Sequence, residues 1–244
     1  MAFIHTLLFI AHILVGGAAL VLFWIPIWSR KGQLNHVMFG RYYRTAMYAV
    51  AGTGAIMATM VIAMPMSIKP GFFINASDPD KVVFSIRLFW FFLLYLSLLS
   101  FTTTRHGIAV LKAKKDNASM RVWHYQLPLW MLLIGGVGCF ALGLMYDKTL
   151  HIVFGVLGIV MGQSTLRYCW KKEIQPGEWV VEHLGAMIGS GIGAYTAFLA
   201  FGGRTLFADL GSYQMIFWIA PGLIGGIAAN IIARNYGKKL RLTL

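Results

Sequence analysis

Seven stretches of almost uninterrupted apolar residues divide the chain, and short polar segments separate them. Each stretch approaches or exceeds the roughly 20 residues that a helix needs to cross the hydrocarbon layer of a bilayer. In lipid a spanning segment must satisfy its own backbone hydrogen bonds, which a helix does internally. The pattern therefore predicts seven transmembrane helices, at about 6–28, 42–66, 83–104, 123–146, 150–169, 179–202 and 213–233.

Composition supports this interpretation and leaves no room for a second kind of domain. The 244 residues are 58% hydrophobic and only 12% charged, whereas a soluble domain carries roughly 25% charged residues. Seven spans and their connections account for nearly the whole length. We therefore expect one all-α integral membrane domain over 1–244, a seven-transmembrane-helix bundle whose principal partner is the lipid bilayer.

The basic residues predict how the helices are oriented. Sixteen of the 21 lysines and arginines lie in 29–44, 105–122, 167–178 and 234–244, and five lie on the alternate side. The acidic residues divide evenly between the sides, as expected if only Lys and Arg set the topology. We therefore expect the N-terminus outside and the C-terminus inside, in a bacterial cytoplasmic (inner) membrane. Because the charge of +13 is spread between apolar runs, it does not indicate a nucleic-acid partner.

Short similarities between the two ends of the chain suggest an internal repeat. The segment from His12 to Gly16 resembles the segment from His151 to Gly155, and each precedes a similar second and third apolar run. This predicts parallel repeats over 1–105 and 150–236, joined by a linker helix at 123–146, a 3+1+3 arrangement about an axis along the membrane normal. Chance similarity between apolar sequences is the alternative.

Histidines are the residues within or beside the spans that could carry chemistry. The middle of each run lacks Lys, Asp and Glu, so a retinal Schiff base in the seventh run is excluded. If the repeat is real, His12 and His151 occupy equivalent positions and could face one another. Two opposed imidazoles can ligate a b-type haem, and imidazole also binds zinc and copper. An interfacial histidine that only forms a hydrogen bond is the structural alternative.

A second group of histidines lies beside the basic segments. We favour His183, at the start of the sixth run, as a further haem or metal ligand, with another histidine such as His36 completing an inner cofactor site. The alternative for His36, His106 and His124 is that they are water-facing loop residues. The metal-ligand candidates are therefore His12, His151 and His183.

Several short motifs also carry a family resemblance. The pattern from His12 to Gly16, the segment Lys31-Gly32 to Tyr43 and the pattern from His183 to Met187 resemble the bacterial membrane-protein family labelled domain of unknown function 2306. The resemblance implies a multi-pass membrane protein and singles out His12, His36 and His183. It implies no reaction.

Three functions are compatible with these features. The first is a transmembrane redox protein that binds b-type haem through histidine pairs and exchanges electrons with quinone or a redox partner. The second is a small-solute transporter built from the 3+1+3 repeats. The third is an intramembrane metal-dependent hydrolase, which would need a third ligand that the sequence does not offer. The corresponding cofactor would be haem b, a histidine-bound metal ion or none. Whether the chain is an enzyme stays open.

Overall fold

The computed structural model describes residues 1–203 and 215–242, and all regular secondary structure in these ranges is helical. The helices are α1 Ala2–Trp28, α2 Leu34–Ala63, α3 Pro65–Ile68, α4 Pro79–Ala113, α5 Trp123–Met145, α6 Thr149–Cys169, α7 Glu178–Phe198 and α8 Ile216–Lys239. Single 3₁₀ turns occur at Pro70–Phe73 and Asn117–Met120, and a π-helical turn at Leu199–Gly203 continues α7.

Seven helices are long and apolar enough to cross a membrane; α3 is the exception among the described helices. The predicted all-α class and the seven spans are confirmed. Helix α2 begins well before the predicted residue 42 and α4 continues past 104, because helical backbone extends beyond the apolar runs. The predicted start of the seventh run, at 213, lies outside the described residues. So does Arg204, one of the five basic residues assigned to the alternate side of the membrane.

Large apolar side chains remain exposed along the spans. Leu14 and Val21 of α1 are 68% and 66% exposed, and Leu223 and Ile224 of α8 are 62% and 68% exposed. A soluble monomer rarely leaves a contiguous apolar surface of this kind in water. These side chains are suited to contact with lipid tails, which solvate them without a hydrophobic penalty.

The chain divides into two compact units. One contains Met1–Phe101 and Cys139–Phe154, and the other contains Thr102–Gly138 and Gly155–Leu244. Helices α4, α5 and α6 contribute to both units. The predicted repeats over 1–105 and 150–236 have different boundaries, and they stay a prediction.

In the first unit, side-chain donors satisfy carbonyls at two helix ends. Lys31 Nζ donates to the carbonyl oxygens of Pro26 and Ile27, at 2.8 and 2.7 Å, in the last turn of α1. Burial lowers the pKa of Lys31 from its usual value. Arg87 Nε donates at 3.0 Å to the carbonyl oxygen of Ile62, where α2 ends. The last carbonyls of a helix lack N–H partners of their own, so these bonds stabilise both ends.

In the second unit, arginine side chains donate hydrogen bonds to backbone carbonyls of α5 and α6. Arg121 Nε donates to the carbonyl oxygen of Cys169 at 2.9 Å and caps α6. Proline has no N–H, so Pro128 inside α5 leaves the carbonyl of His124 without its usual helical donor. Arg105 supplies the donor instead, through Nη1 at 3.0 Å.

Pro221 and Gly222 lie inside the last helix and do not break it. Helix α8 runs without interruption from Ile216 to Lys239 and includes both residues. A proline removes only one hydrogen bond, and a transmembrane helix tolerates that loss when neighbouring groups adjust.

We expect Arg105 and Pro128 to be energetically coupled. Replacing Arg105 with Gln should lower the free energy of unfolding by about 1–3 kcal/mol, because a carbonyl loses its charged donor. In a Pro128→Ala background, the restored N–H of residue 128 bonds the same carbonyl, so Arg105→Gln should cost about 1 kcal/mol less. Unfolding of the four proteins in detergent measures this coupling, and equal losses in both backgrounds would contradict it.

Candidate functional site

The site begins with a close approach of α4 and α7 at Gly107. A Cβ atom at this position would lie 2.8 Å from Met187 Sδ and 3.2 Å from Ala186 Cβ, both on α7. Only glycine therefore allows the two backbones to come this near without a shift. As a result, the side chains of Glu182 and His183 can reach α4.

His106 is the centre of the site. Its side chain is 3% exposed, and both ring nitrogens have partners on other helices. Nδ1 lies 2.7 Å from the hydroxyl of Tyr125 on α5, and Nε2 lies 2.8 Å from Oε1 of Glu182 on α7. We refer to His106, Tyr125 and Glu182 as the buried triad.

The chemistry of the two partners determines which atoms donate. An ionised carboxylate only accepts hydrogen bonds, so His106 Nε2–H donates to Glu182. In the neutral imidazole Nδ1 is then an acceptor, and the Tyr125 hydroxyl donates to it. A second proton on His106 reverses the latter bond and gives an ion pair with Glu182. In both forms of the imidazole, His106 keeps a hydrogen bond to each of its two partners.

Neighbouring groups fix the triad on most sides. The ring of Tyr168 on α6 packs edge-on against His106, with centroids 5.6 Å apart. The guanidinium of Arg105 lies over the ring of Tyr125, 4.8 Å from its centroid. The Glu182 side chain is 30% exposed, so it connects the buried imidazole to the surroundings of the helices.

His183, one of the predicted ligands, lies next to the triad. Its Nδ1 donates to the carbonyl oxygen of Gly107 at 2.6 Å. The dipeptides His106-Gly107 and Glu182-His183 thus bond reciprocally, since the imidazole of each donates to an oxygen atom of the other. His183, which was predicted from the sequence, therefore lies close to the site, but its neighbour Glu182 is the residue that bonds to His106.

His12, on α1, forms a hydrogen bond with a side chain of α2. Its Nδ1 lies 2.8 Å from Oγ1 of Thr53, whose hydroxyl donates to the carbonyl oxygen of Ala49 at 2.6 Å. The Thr53 oxygen therefore accepts a hydrogen bond from His12 Nδ1–H. The free lone pair of the imidazole is then on Nε2, which this bond does not use. A Cβ at Gly54 would lie 2.7 Å from Ser97 Oγ and 3.4 Å from His12 Cε1, so this glycine makes room chiefly for Ser97 and leaves the imidazole in ordinary contact.

The two other predicted ligands also have partners. His36 Nδ1 donates to the carbonyl oxygen of Pro26 at 3.0 Å, so it joins Lys31 in capping α1. His151 Nε2 donates to the carbonyl oxygen of Leu88 at 3.2 Å, and its ring stacks on Phe92 with centroids 4.9 Å apart.

Each of the four predicted ligands thus has a different partner. Within 1–203 and 215–242, the structure contains no group of three or more His, Cys, Asp or Glu that could hold a metal ion. The predicted apposition of His12 and His151 stays a prediction.

Comparisons with protein-family models, curated proteins and solved structures found no match. The site is therefore interpreted from its own geometry.

The water-facing interpretation of His106 is wrong, because helix α4 continues to Ala113 and carries His106 into the interior of its unit. His124, by contrast, is exposed as expected, and His36 is partly buried. A signal for His106 was present in the sequence: a glycine follows it directly, and that glycine allows α7 to approach. Tyr125 and Glu182 carried no comparable signal, since both adjoin polar segments.

We expect Gly107→Ala to destabilise the protein. The added methyl must displace Met187 and Ala186, which should lower the free energy of unfolding by about 1–3 kcal/mol. The matched control is Gly138→Ala in α5, where the added Cβ has no neighbour within 4 Å. That change should stabilise the helix by about 0.5–1 kcal/mol. Thermal unfolding in detergent distinguishes the two, and an unchanged midpoint for Gly107→Ala would contradict the close approach.

Proposed function

We propose that this chain is a multi-pass protein of the bacterial cytoplasmic membrane, with its N-terminus outside and its C-terminus in the cytoplasm. The distribution of the lysines and arginines supports this orientation. The 3+1+3 repeat and the resemblance to the family of unknown function 2306 belong to the same proposal. In this orientation the buried triad lies toward the cytoplasmic side of the spans.

Within that membrane, we infer that the protein couples proton movement to the transport of a small solute. The observation that carries this proposal is the burial of His106 between Tyr125 and Glu182, which lie on two other helices. Ionisable groups buried among membrane helices are costly, and they are characteristic of proton pathways in transporters. In the proposed topology this triad lies at the cytoplasmic ends of its helices, where such a pathway would open. The partly exposed carboxylate of Glu182 is the group through which protons would reach the imidazole.

Protonation would change the contacts between helices. With Glu182 ionised, its bond to His106 is charge-assisted and holds α7 against α4. A second proton on His106 turns this bond into an ion pair and reverses the bond with Tyr125, so it changes the contact between α4 and α5. A solute that favours one of these two protonation states would be coupled to the proton.

Proton flux that depends on a solute is the direct test. The full chain is reconstituted in vesicles containing a pH-sensitive dye, and amino acids, carboxylates, amines and sugars are added outside in turn. We expect at least one class to change the internal pH. His106→Gln and Glu182→Gln should reduce that rate at least tenfold, because both remove a titratable group from the triad.

His124→Gln is the matched control, because it changes an exposed histidine near the same helix ends. It should leave the rate within about twofold. If no class of solute changes the internal pH although the protein is folded, proton-coupled transport is wrong. If all variants gave equal rates, the transport would not depend on the triad.

Haem binding is the second candidate, and one observation favours it. His12, His36 and His183 are each held through Nδ1 by an oxygen atom. Metal-bound histidines commonly have this arrangement, in which a hydrogen bond from one nitrogen orients the other toward the metal. His151 has the opposite arrangement, since its Nε2 is bonded to Leu88. His12, His36 and His183 are therefore the ligands that we favour for a membrane redox protein that uses quinone or a redox partner.

A reduced-minus-oxidised spectrum of protein purified after haem-replete expression tests this candidate. We expect Soret and alpha bands typical of a b-type haem, and His183→Ala should diminish them while His124→Ala does not. The absence of both bands would contradict haem binding. It would leave the transport proposal unaffected.

A further inference from the structure

Two nitrogen-bearing side chains contact the same indole in the first unit. The ring of His5 in α1 meets Trp90 of α4 edge-on, with centroids 5.7 Å apart. The ammonium group of Lys69 lies over the face of Trp90, 5.1 Å from its centroid. Trp90 itself packs against the apolar cluster formed by Val61, Ile68 and Ile86, which fixes its position.

The imidazole of His5 has an unsatisfied nitrogen. His5 is only 6% exposed, and its Nε2 is buried and has no hydrogen-bond partner. A buried polar atom without a partner is costly, so native proteins rarely retain one without a reason.

Lys69 likewise has no carboxylate partner in the part of the chain that the structure describes. Asp78 pairs with Lys81 instead, at 3.1 Å. Burial lowers the pKa of Lys69 from its usual value, which reflects partial loss of hydration. Its remaining exposure leaves a route by which a ligand can reach the cluster.

We propose that His5, Lys69 and Trp90 form a binding site for a carboxylate or phosphate group. Oxygen atoms of such an anion accept hydrogen bonds only, which matches the Nε2–H of a neutral His5 and the ammonium group of Lys69. The anion would satisfy the buried nitrogen and pair with the lysine, while Trp90 forms an apolar wall. A metal cation does not fit, because Lys69 would repel it. In the proposed topology this anion site faces outside, and it does not depend on the buried triad.

Thermal unfolding of the full chain in detergent, with inorganic phosphate or acetate replacing chloride at constant ionic strength, tests for a free anion. We expect a saturable rise in the unfolding midpoint. Lys69→Gln and His5→Phe should weaken the apparent affinity at least tenfold, the latter because it keeps a ring but removes the nitrogens. Lys69→Arg should retain binding. Lys81→Gln is the control, since it removes a lysine that is 86% exposed and lies in the first turn of α4.

Native mass spectrometry provides the second arm, with phosphatidylglycerol and phosphatidylethanolamine as probes. Preferential retention of phosphatidylglycerol that is lost in Lys69→Gln, without an effect of free phosphate or acetate, identifies a lipid headgroup as the source of the anion. A saturable effect of free phosphate or acetate identifies a soluble one. Equal responses of Lys69→Gln, Lys81→Gln and the unaltered protein, or no response to any of the probes, would overturn the site.

Discussion

A proline inside a membrane helix leaves one carbonyl without its usual N–H donor, and the hydrocarbon layer offers no water to replace it. The last carbonyls of every helix also lack an N–H donor. Arg105 at His124, Lys31 at Pro26 and Arg87 at Ile62 each supply a missing donor. Arg105 and Arg87 thereby also tie α4 to α5 and α4 to α2, within their own units.

This constraint gives the basic residues a second role. Lys and Arg in the connections orient the helices in the membrane, and the sequence pattern shows only that role. The structure adds that Lys31 and Arg121 donate hydrogen bonds to the last carbonyls of α1 and α6. Removing such a residue therefore changes topology and helix stability together, and one effect can be mistaken for the other.

The helices were predictable because hydrophobic length is a local property of the sequence. The triad was not, because its contacts join residues that are distant in sequence: His106 and Glu182 meet only after α4 and α7 have packed. Glu182 and His183 adjoin one another, so sequence alone could not decide which of them would bond to His106. The histidine candidates were selected by their depth in the spans, but burial of His106 depends on Gly107 and on the length of α4.

The reciprocal bonds between His106-Gly107 and Glu182-His183 have a consequence for evolution. Each dipeptide supplies one acceptor and one imidazole, so neither is useful without the other. Selection should treat the four positions as one inherited unit. In any lineage that descends from a common ancestor with this chain, a side chain gained at position 107 should be accompanied by replacements at 186 and 187, which it would meet, and this would appear as covariation between α4 and α7.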